Sequence, residues 1–303
     1  MVDVHADDYG YSHNTSLDIV ECIRKNKLSS ISIMPNMPSF EEDMQMLYDV
    51  IPSLSFLPKI SIHINLVEGN SYEDGKTMQY SWYKLFLYSF MPNRGNVKDD
   101  IKLEIKRQID IGSVSIEKCL EKAKRNNIPF AQKGIRIDSH VHTHPIPIVW
   151  EALMETIEEN DLNVEYIRNP KEPLFPFIKT RRYLGTYKVI NLIKNRILMT
   201  MSKKIDGYCE KNNLQKMHMY GLMMSGEMDY ERISALLPEM KKYAAENERM
   251  LELLFHPGMA LEVEGCMQMN QKSSRQFNMS ENRHVEKNTV IGLMEVENDR
   301  KEK

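Results

Sequence analysis

At 303 residues the chain can bury a substantial core, and one domain of barrel size suits it as well as two smaller ones. A net charge of −3 and a pI near 6.3 argue against a nucleic-acid footprint, which needs a basic surface or stripe. Cys22, Cys119, Cys209 and Cys266 show no CxxC spacing, so neither a disulfide framework nor a zinc ribbon is signalled, and a reducing, cytoplasmic setting is expected.

The first residues lack the basic and apolar regions of a secretory signal. The most apolar window, residues 189–201, is interrupted by Lys194, Asn195 and Arg196, so no bilayer span and no membrane partner is expected. The 22 methionines read as gap-filling core residues.

In chain order, residues 2–6 form a short apolar-leaning strand that carries Asp3 and ends in Asp7-Asp8-Tyr9-Gly10; its edge is expected to be weakly held. Leu17, Val20 and Ile23 then share one helical face. Residues 28–34 alternate Ile31 and Ile33 with serines as a strand, closed by Pro35-Asn36-Met37-Pro38. A helix over 40–48 precedes a strand over 59–66, in which Ile60, Ile62 and Ile64 alternate with Ser61, His63 and Asn65. Residues 68–96 break the rhythm with Gly, Asn and many aromatics, among them Tyr72, Tyr80, Trp82, Phe86 and Tyr88. They form an insertion over one face, either to stack on a ligand or to pack a small subcore.

A long helix over 98–126 leads to the strand Ile135-Arg136-Ile137-Asp138-Ser139-His140-Val141-His142-Thr143-His144-Pro145. Helix and strand signals then alternate: a helix with Val149, Leu153 and Ile157, a strand at 164–168, and a basic apolar helical segment over 183–205. They continue with a strand at 217–221, a helix with Ile233, Leu236 and Met240, and a last strand at 250–255 ending in His256-Pro257-Gly258. About seven strands alternate with helices, which predicts a parallel α/β fold, a (β/α) barrel that is incomplete or distorted. The catalytic domain is expected over residues 1–265, with insertions near 70–97 and 171–215. Residues 266–303 read as a polar, partly flexible extension, frayed over 298–303.

Reactive residues gather at strand ends. In an extended chain Asp138, His140, His142 and His144 share one face while Ile135, Ile137 and Val141 take the other. Imidazole nitrogen beside carboxylate oxygen suits a divalent metal. Asp7 and Asp8 follow the first strand, His63 closes the third and His256 the seventh, and barrels place their chemistry at these carboxyl ends.

At these residues the chain resembles the YdjC-like carbohydrate deacetylases. The matching segments are His5-Ala6-Asp7-Asp8-Tyr9-Gly10, Ser61-Ile62-His63-Ile64-Asn65-Leu66, Ile137-Asp138-Ser139-His140-Val141-His142-Thr143-His144-Pro145 and Phe255-His256-Pro257-Gly258. The resemblance implies a barrel-like hydrolase that removes an N-acetyl group from an amino sugar or short oligosaccharide, using one divalent metal, magnesium or zinc. By the same similarity Asp8, His63 and His140 are metal ligands, Asp7 the base and His256 the acid. Asp138, His142, His144 and Arg168 are expected to orient ligands or line the substrate pocket. Where the family commonly has Asn, this chain has His5, an additional ligand or a modifier of metal preference. After His256-Pro257-Gly258 the likeness fades to Arg283-His284-Val285-Glu286.

Asp-x-His-x-His-Thr also resembles the entry motif of PHP-type phosphoesterases and amidohydrolases, but there the HxH lies at the first strand. A non-catalytic glycan-binding barrel is the remaining alternative. A homodimer suits a compact enzyme of this kind, although no interface is legible.

Overall fold

The computed structural model describes residues 2–71, 78, 80–92, 94–261, 264 and 272–293; Tyr72, Cys266 and residues 298–303 lie outside them. Seven strands make one all-parallel sheet: β1 (Val2–Tyr9), β2 (Ser30–Ile33), β3 (Lys59–Ile64), β4 (Ile135–Ser139), β5 (Val164–Ile167), β6 (Met217–Tyr220) and β7 (Met250–Phe255). Their order across the sheet is β5-β4-β3-β2-β1-β7-β6. The connecting helices are α1 (His13–Arg24), α2 (Phe40–Val50), α3 (Trp82–Tyr88), α4 (Arg94–Arg125), α5 (Pro147–Glu159), α6 (Phe175–Lys179), α7 (Val189–Lys211) and α8 (Tyr230–Glu246). Two more, α9 (Lys272–Asn278) and α10 (Asn282–Gly292), follow the last strand. The result is the expected α/β architecture as a half-barrel. The end strands β5 and β6 are not paired with each other; a backbone bond from Met219 N–H to the carbonyl of Lys171 links β6 to the segment after β5.

The first strand corrects one expectation. β1 is no weakly held edge: it lies between β2 and β7, extends through Tyr9, and buries Asp3. Strand periodicity explains how that aspartate is accommodated. One parity turns Val4, Ala6, Ile31, Ile33, Ile60, Ile62, Ile137, Leu251 and Leu253 into the apolar core. The other parity carries Asp3, His5 and Asp7 on β1, Ser30 and Ser32 on β2, His63 on β3, Arg136 and Asp138 on β4, and Glu252 on β7. All of these are buried and bonded to one another across strands. The concave side of the half-barrel is therefore polar, and its groups are mostly satisfied by each other.

The aromatics of the 68–96 insertion favour the subcore reading. Trp82 stacks on Phe86, Phe86 meets Phe90, Tyr80 meets Tyr88, and Tyr80, Trp82, Phe86 and Tyr88 pack against the main core. The α10 helix lies within the segment expected as a polar extension. It sits against β7 and α1, with Arg283, Glu286, Thr289 and Val290 buried.

Candidate active site

Two consecutive carboxylates leave the end of β1. Regular alternation would send them to opposite faces, yet both approach one imidazole: His63 Nε2 lies 3.8 Å from Asp7 Oδ2 and 3.4 Å from Asp8 Oδ1. A bulge is the cause. From Ala6 to Tyr9 β1 takes three steps while its partner β2 takes two, from Ile31 to Ile33. Asp8 absorbs the extra residue in the left-handed region, at φ 70°.

His63 on β3 and Asp138 on β4 are register partners. Asp138 Oδ1 lies 2.6 Å from His63 Nδ1, and its Oδ2 accepts the Ser32 hydroxyl at 2.5 Å. With Nδ1 held by this carboxylate, Nε2 is left for Asp8 and whatever lies beside it.

The expected common face of Asp138, His140, His142 and His144 does not form. β4 stops at Ser139, and residues 140–142 make a 3₁₀ turn with Val141 at φ 46° and His142 at φ 54°. A left-handed β-branched residue costs roughly 1–3 kcal/mol, strain of a kind found at functional sites. Through this turn His140 Nδ1 reaches Asp8 Oδ1 at 3.0 Å, while its buried Nε2 has no hydrogen-bond partner among the described residues. His142 is also buried, with Nδ1 unpaired among the described residues; burial and then Arg168 hold its pKa well below the usual histidine range. His144 turns away to brace the loop: Nε2 donates to the Arg168 carbonyl at 2.7 Å, so Nδ1 accepts from Ser139 Oγ at 2.6 Å. Burial lowers its pKa to about 4, in keeping with this neutral tautomer.

Arg168 is fully buried beneath the carboxylates. It donates to Glu252 Oε1 at 2.6 Å and Asp7 Oδ2 at 2.8 Å, and its second terminal nitrogen lies 3.2 Å from Asp138 Oδ2. Burial alone would raise the Asp7 carboxyl, but Arg168 and then His63 outweigh it and hold Asp7 well below the usual carboxylate range. Asp7 Oδ1 lies 3.2 Å from His5 Nε2 without forming an aligned hydrogen bond. His5 is otherwise engaged, its two ring nitrogens each 2.6 Å from a serine hydroxyl, Ser30 and Ser32.

His256 follows β7 and is about a fifth exposed. Its backbone N–H donates to Glu286 Oε2 at 2.6 Å, and its Nδ1 lies 3.7 Å from the same oxygen. Glu286 is buried, and burial is outweighed by Arg283 and His256, which keep it ionised. Gly258, at φ 103°, sits where a Cβ would come within 2.8 Å of the Thr15 backbone, which explains the glycine of His256-Pro257-Gly258.

Among the described residues, three groupings bring ligand atoms within 4.8 Å of one another: Asp8–His63–His140, Asp3–His5–Glu252 and His5–Asp7–Asp138. The chemistry of the donors separates them. In the latter two, serines occupy both nitrogens of His5, and Arg168 already neutralises Asp7, Asp138 and Glu252. Asp8–His63–His140 carries no such cation and includes the orphaned Nε2 of His140. Burial would lower the His63 pKa, but the carboxylates of Asp7 and Asp138 push it up to about 10. One carboxylate and two imidazoles, with one ring nitrogen unpartnered among the described residues, are the donor set of a divalent metal ion, so these residues fit one.

Several contributors were missed by sequence reasoning. Ser30, Ser32 and Glu252 show only as the polar parity of their strands. Glu286 and Arg283 could have been found only by treating Arg283-His284-Val285-Glu286 as a helix face returning to His256.

Comparison with known proteins places this geometry in context. Residues 1–112 and 132–292 match the profile of the family described as YdjC-like protein. A carbohydrate deacetylase from Clostridium beijerinckii is 23% identical over 83% of this chain and 96% of its own length. Another from Geobacillus stearothermophilus is 23% identical over 67% and 74%, and one from Thermoanaerobacter pseudethanolicus is 26% identical over 56% and 62%.

Proposed function

This chain belongs to the YdjC-like family, and from that premise we propose that it is a carbohydrate deacetylase that hydrolyses the N-acetyl group of an amino sugar or short oligosaccharide with one divalent metal ion. The observation that carries the reading is the meeting of Asp8, His63 and His140, from the ends of three strands, beside a second carboxylate, Asp7.

Asp8, His63 and His140 would hold magnesium or zinc, leaving Asp7 outside the ligand set. When bound, such an ion supplies Lewis acidity, polarising the amide carbonyl and, for zinc, lowering the pKa of water to about 7. Asp7 is the base that accepts a proton from the attacking water. Arg168 keeps its carboxylate ionised and holds Oδ2, the oxygen that faces His63. His256, braced by Glu286, protonates the departing sugar amine. Without that proton the amine is too poor a leaving group and the acetyl carbon would return to the amide. Each proton transfer contributes roughly 10²- to 10⁴-fold. His142, neutral and buried next to this chemistry, is placed to contact the substrate or orient a ligand.

The test is to incubate the protein with a panel of N-acetylated mono- and disaccharides, with magnesium, zinc or a chelator, and to assay free acetate. Metal-dependent acetate release from at least one sugar is expected. Phosphate release from sugar phosphates without any acetate would replace this reading with a phosphoesterase.

A further inference from the structure

The α7 helix has two unlike faces. Asn191, Asn195, Leu198, Ser202, Ile205 and Cys209 are buried. At 100° per residue the opposite face carries Val189, Ile190, Ile193 and Ile197, all exposed, Val189 by 73% and Ile190 by 54%. Lys194, Arg196 and Lys203 flank this aliphatic stripe and have no ion-pair partner among the described residues. The charge pattern extends beyond the helix: residues 173–205 contain eight Lys or Arg and no Asp or Glu, in a chain whose net charge is −3. Phe175, Ile178 and Leu184 add exposed apolar side chains in the same stretch. No helix among the described residues is long and apolar enough to cross a membrane.

We propose that this face of α7 docks the protein on an anionic lipid surface. An aliphatic stripe bordered by long cationic side chains is what the headgroup boundary of an acidic bilayer accepts: the stripe enters the acyl edge while Lys and Arg extend to the phosphates. A second copy of this chain fits less well. A two-fold contact through the stripe would bring Lys194, Arg196 and Lys203 of both copies together with no countercharge. The rest of the molecule is acidic on balance and is repelled by such a surface, so attachment is confined to this face. The buried side of α7 fixes the orientation. Asn191 Nδ2 donates to the Met223 carbonyl, just beyond β6, and Asn195 Nδ2 to the Glu172 carbonyl, beyond β5. The docking face therefore stands at the carboxyl-terminal rim of the sheet, the rim on which Asp7, Asp8 and His140 sit.

The experiment is co-sedimentation of the full chain with vesicles of phosphatidylcholine alone or mixed equally with phosphatidylglycerol. Binding is expected only to the phosphatidylglycerol vesicles, weakened at about 0.5 M salt. Ile193→Glu with Ile197→Glu should abolish it. Lys194→Gln with Arg196→Gln, which leaves the stripe intact, should lower partitioning about 30-fold, from about 1 kcal/mol per basic residue at an anionic surface. Both pairs lie on the exposed face and should keep the wild-type melting temperature. Absence of binding to phosphatidylglycerol vesicles would overturn the proposal, as would binding that survives the glutamate pair. A wild-type dimer that the glutamate pair makes monomeric, without vesicle binding, would assign the face to self-association instead. None of these readouts depends on acetate release, so they stand or fall separately from the deacetylase reading.

Discussion

The carboxylate of Asp138 meets the Nδ1 of His63 at 2.6 Å, across the pairing of β3 and β4. It touches none of the three candidate ligands except through that ring. A partner of this kind fixes which nitrogen is free and raises its basicity, and removing one typically costs 10- to 100-fold in metal affinity. Asp138→Asn should therefore fold, retain Asp8, His63 and His140, and bind zinc or magnesium roughly 10- to 100-fold more weakly in a calorimetric titration. Wild-type affinity in the variant would show that His63 is oriented by something else.

Asp7 and His140 are expected to separate cleanly. Asp7→Asn should keep the metal, because Asp7 is outside the ligand set, while acetate release falls by roughly 10²- to 10⁴-fold. His140→Ala should lose the metal in elemental analysis of dialysed protein. If Asp7→Asn remains active, another group takes the proton.

Glu286 joins α10 to the site. Its Oε1 receives Arg283 at 2.7 Å and its Oε2 receives the His256 N–H, with Arg283 and Glu286 both buried. Glu286→Ala leaves the Arg283 charge without its carboxylate, a change that costs roughly 3–5 kcal/mol. Urea unfolding should show that loss, and acetate release should decline through kcat more than KM at temperatures where the variant is folded. A variant as stable as wild type would mean that α10 relaxes to let water reach Arg283.

Glu172 predicts a pH dependence. It is fully buried and accepts N–H groups from Gly221, Leu222 and Met223, yet burial outweighs these bonds and raises its pKa to about 7. Between pH 4.5, where the unfolded chain has lost this proton, and about 7, the folded state binds more protons than the unfolded state. The contribution of this group to stability therefore falls as pH rises through that window, by roughly 3 kcal/mol in total. The carboxylates with lowered pKa, Asp7 and Asp138, act below this window and in the opposite sense, losing stability as pH falls. Glu172→Gln should remove its own part of the decline and leave the part above pH 6.5 that the raised His63 pKa contributes; it should also destabilise the protein at low pH, because its amide places a donor against backbone N–H groups. Chemical denaturation of both proteins from pH 5 to 8 tests this: parallel stability curves would rule Glu172 out as the source.

Much of this architecture was legible because strand periodicity is local. Ile60, Ile62 and Ile64 alternate visibly, and the Asp and His residues at the strand ends stand out without any knowledge of packing. What was not legible depends on partners far along the chain. The bulge at Asp7 and Asp8 exists only in register with β2. The left-handed turn at Val141 and His142 is braced by the Arg168 carbonyl acting on His144. Extrapolating the β4 alternation through His144 failed because side-chain parity holds only as long as the ladder does. Glu286 needed the knowledge that α10 returns to β7, which a polar composition conceals.

The extra step in β1 makes the spacing of this chain as exacting as its chemistry. Between Ala6 and Tyr9 the strand carries one residue more than the facing stretch of β2. Excising a neighbour of the pair, Ala6 or Tyr9, would restore an even pleat and turn one of the two consecutive carboxylates into the apolar layer. A deletion that left both aspartates in the sequence should thus disable the site as surely as replacing one, and homologous chains should tolerate substitutions in this segment more readily than changes in its length.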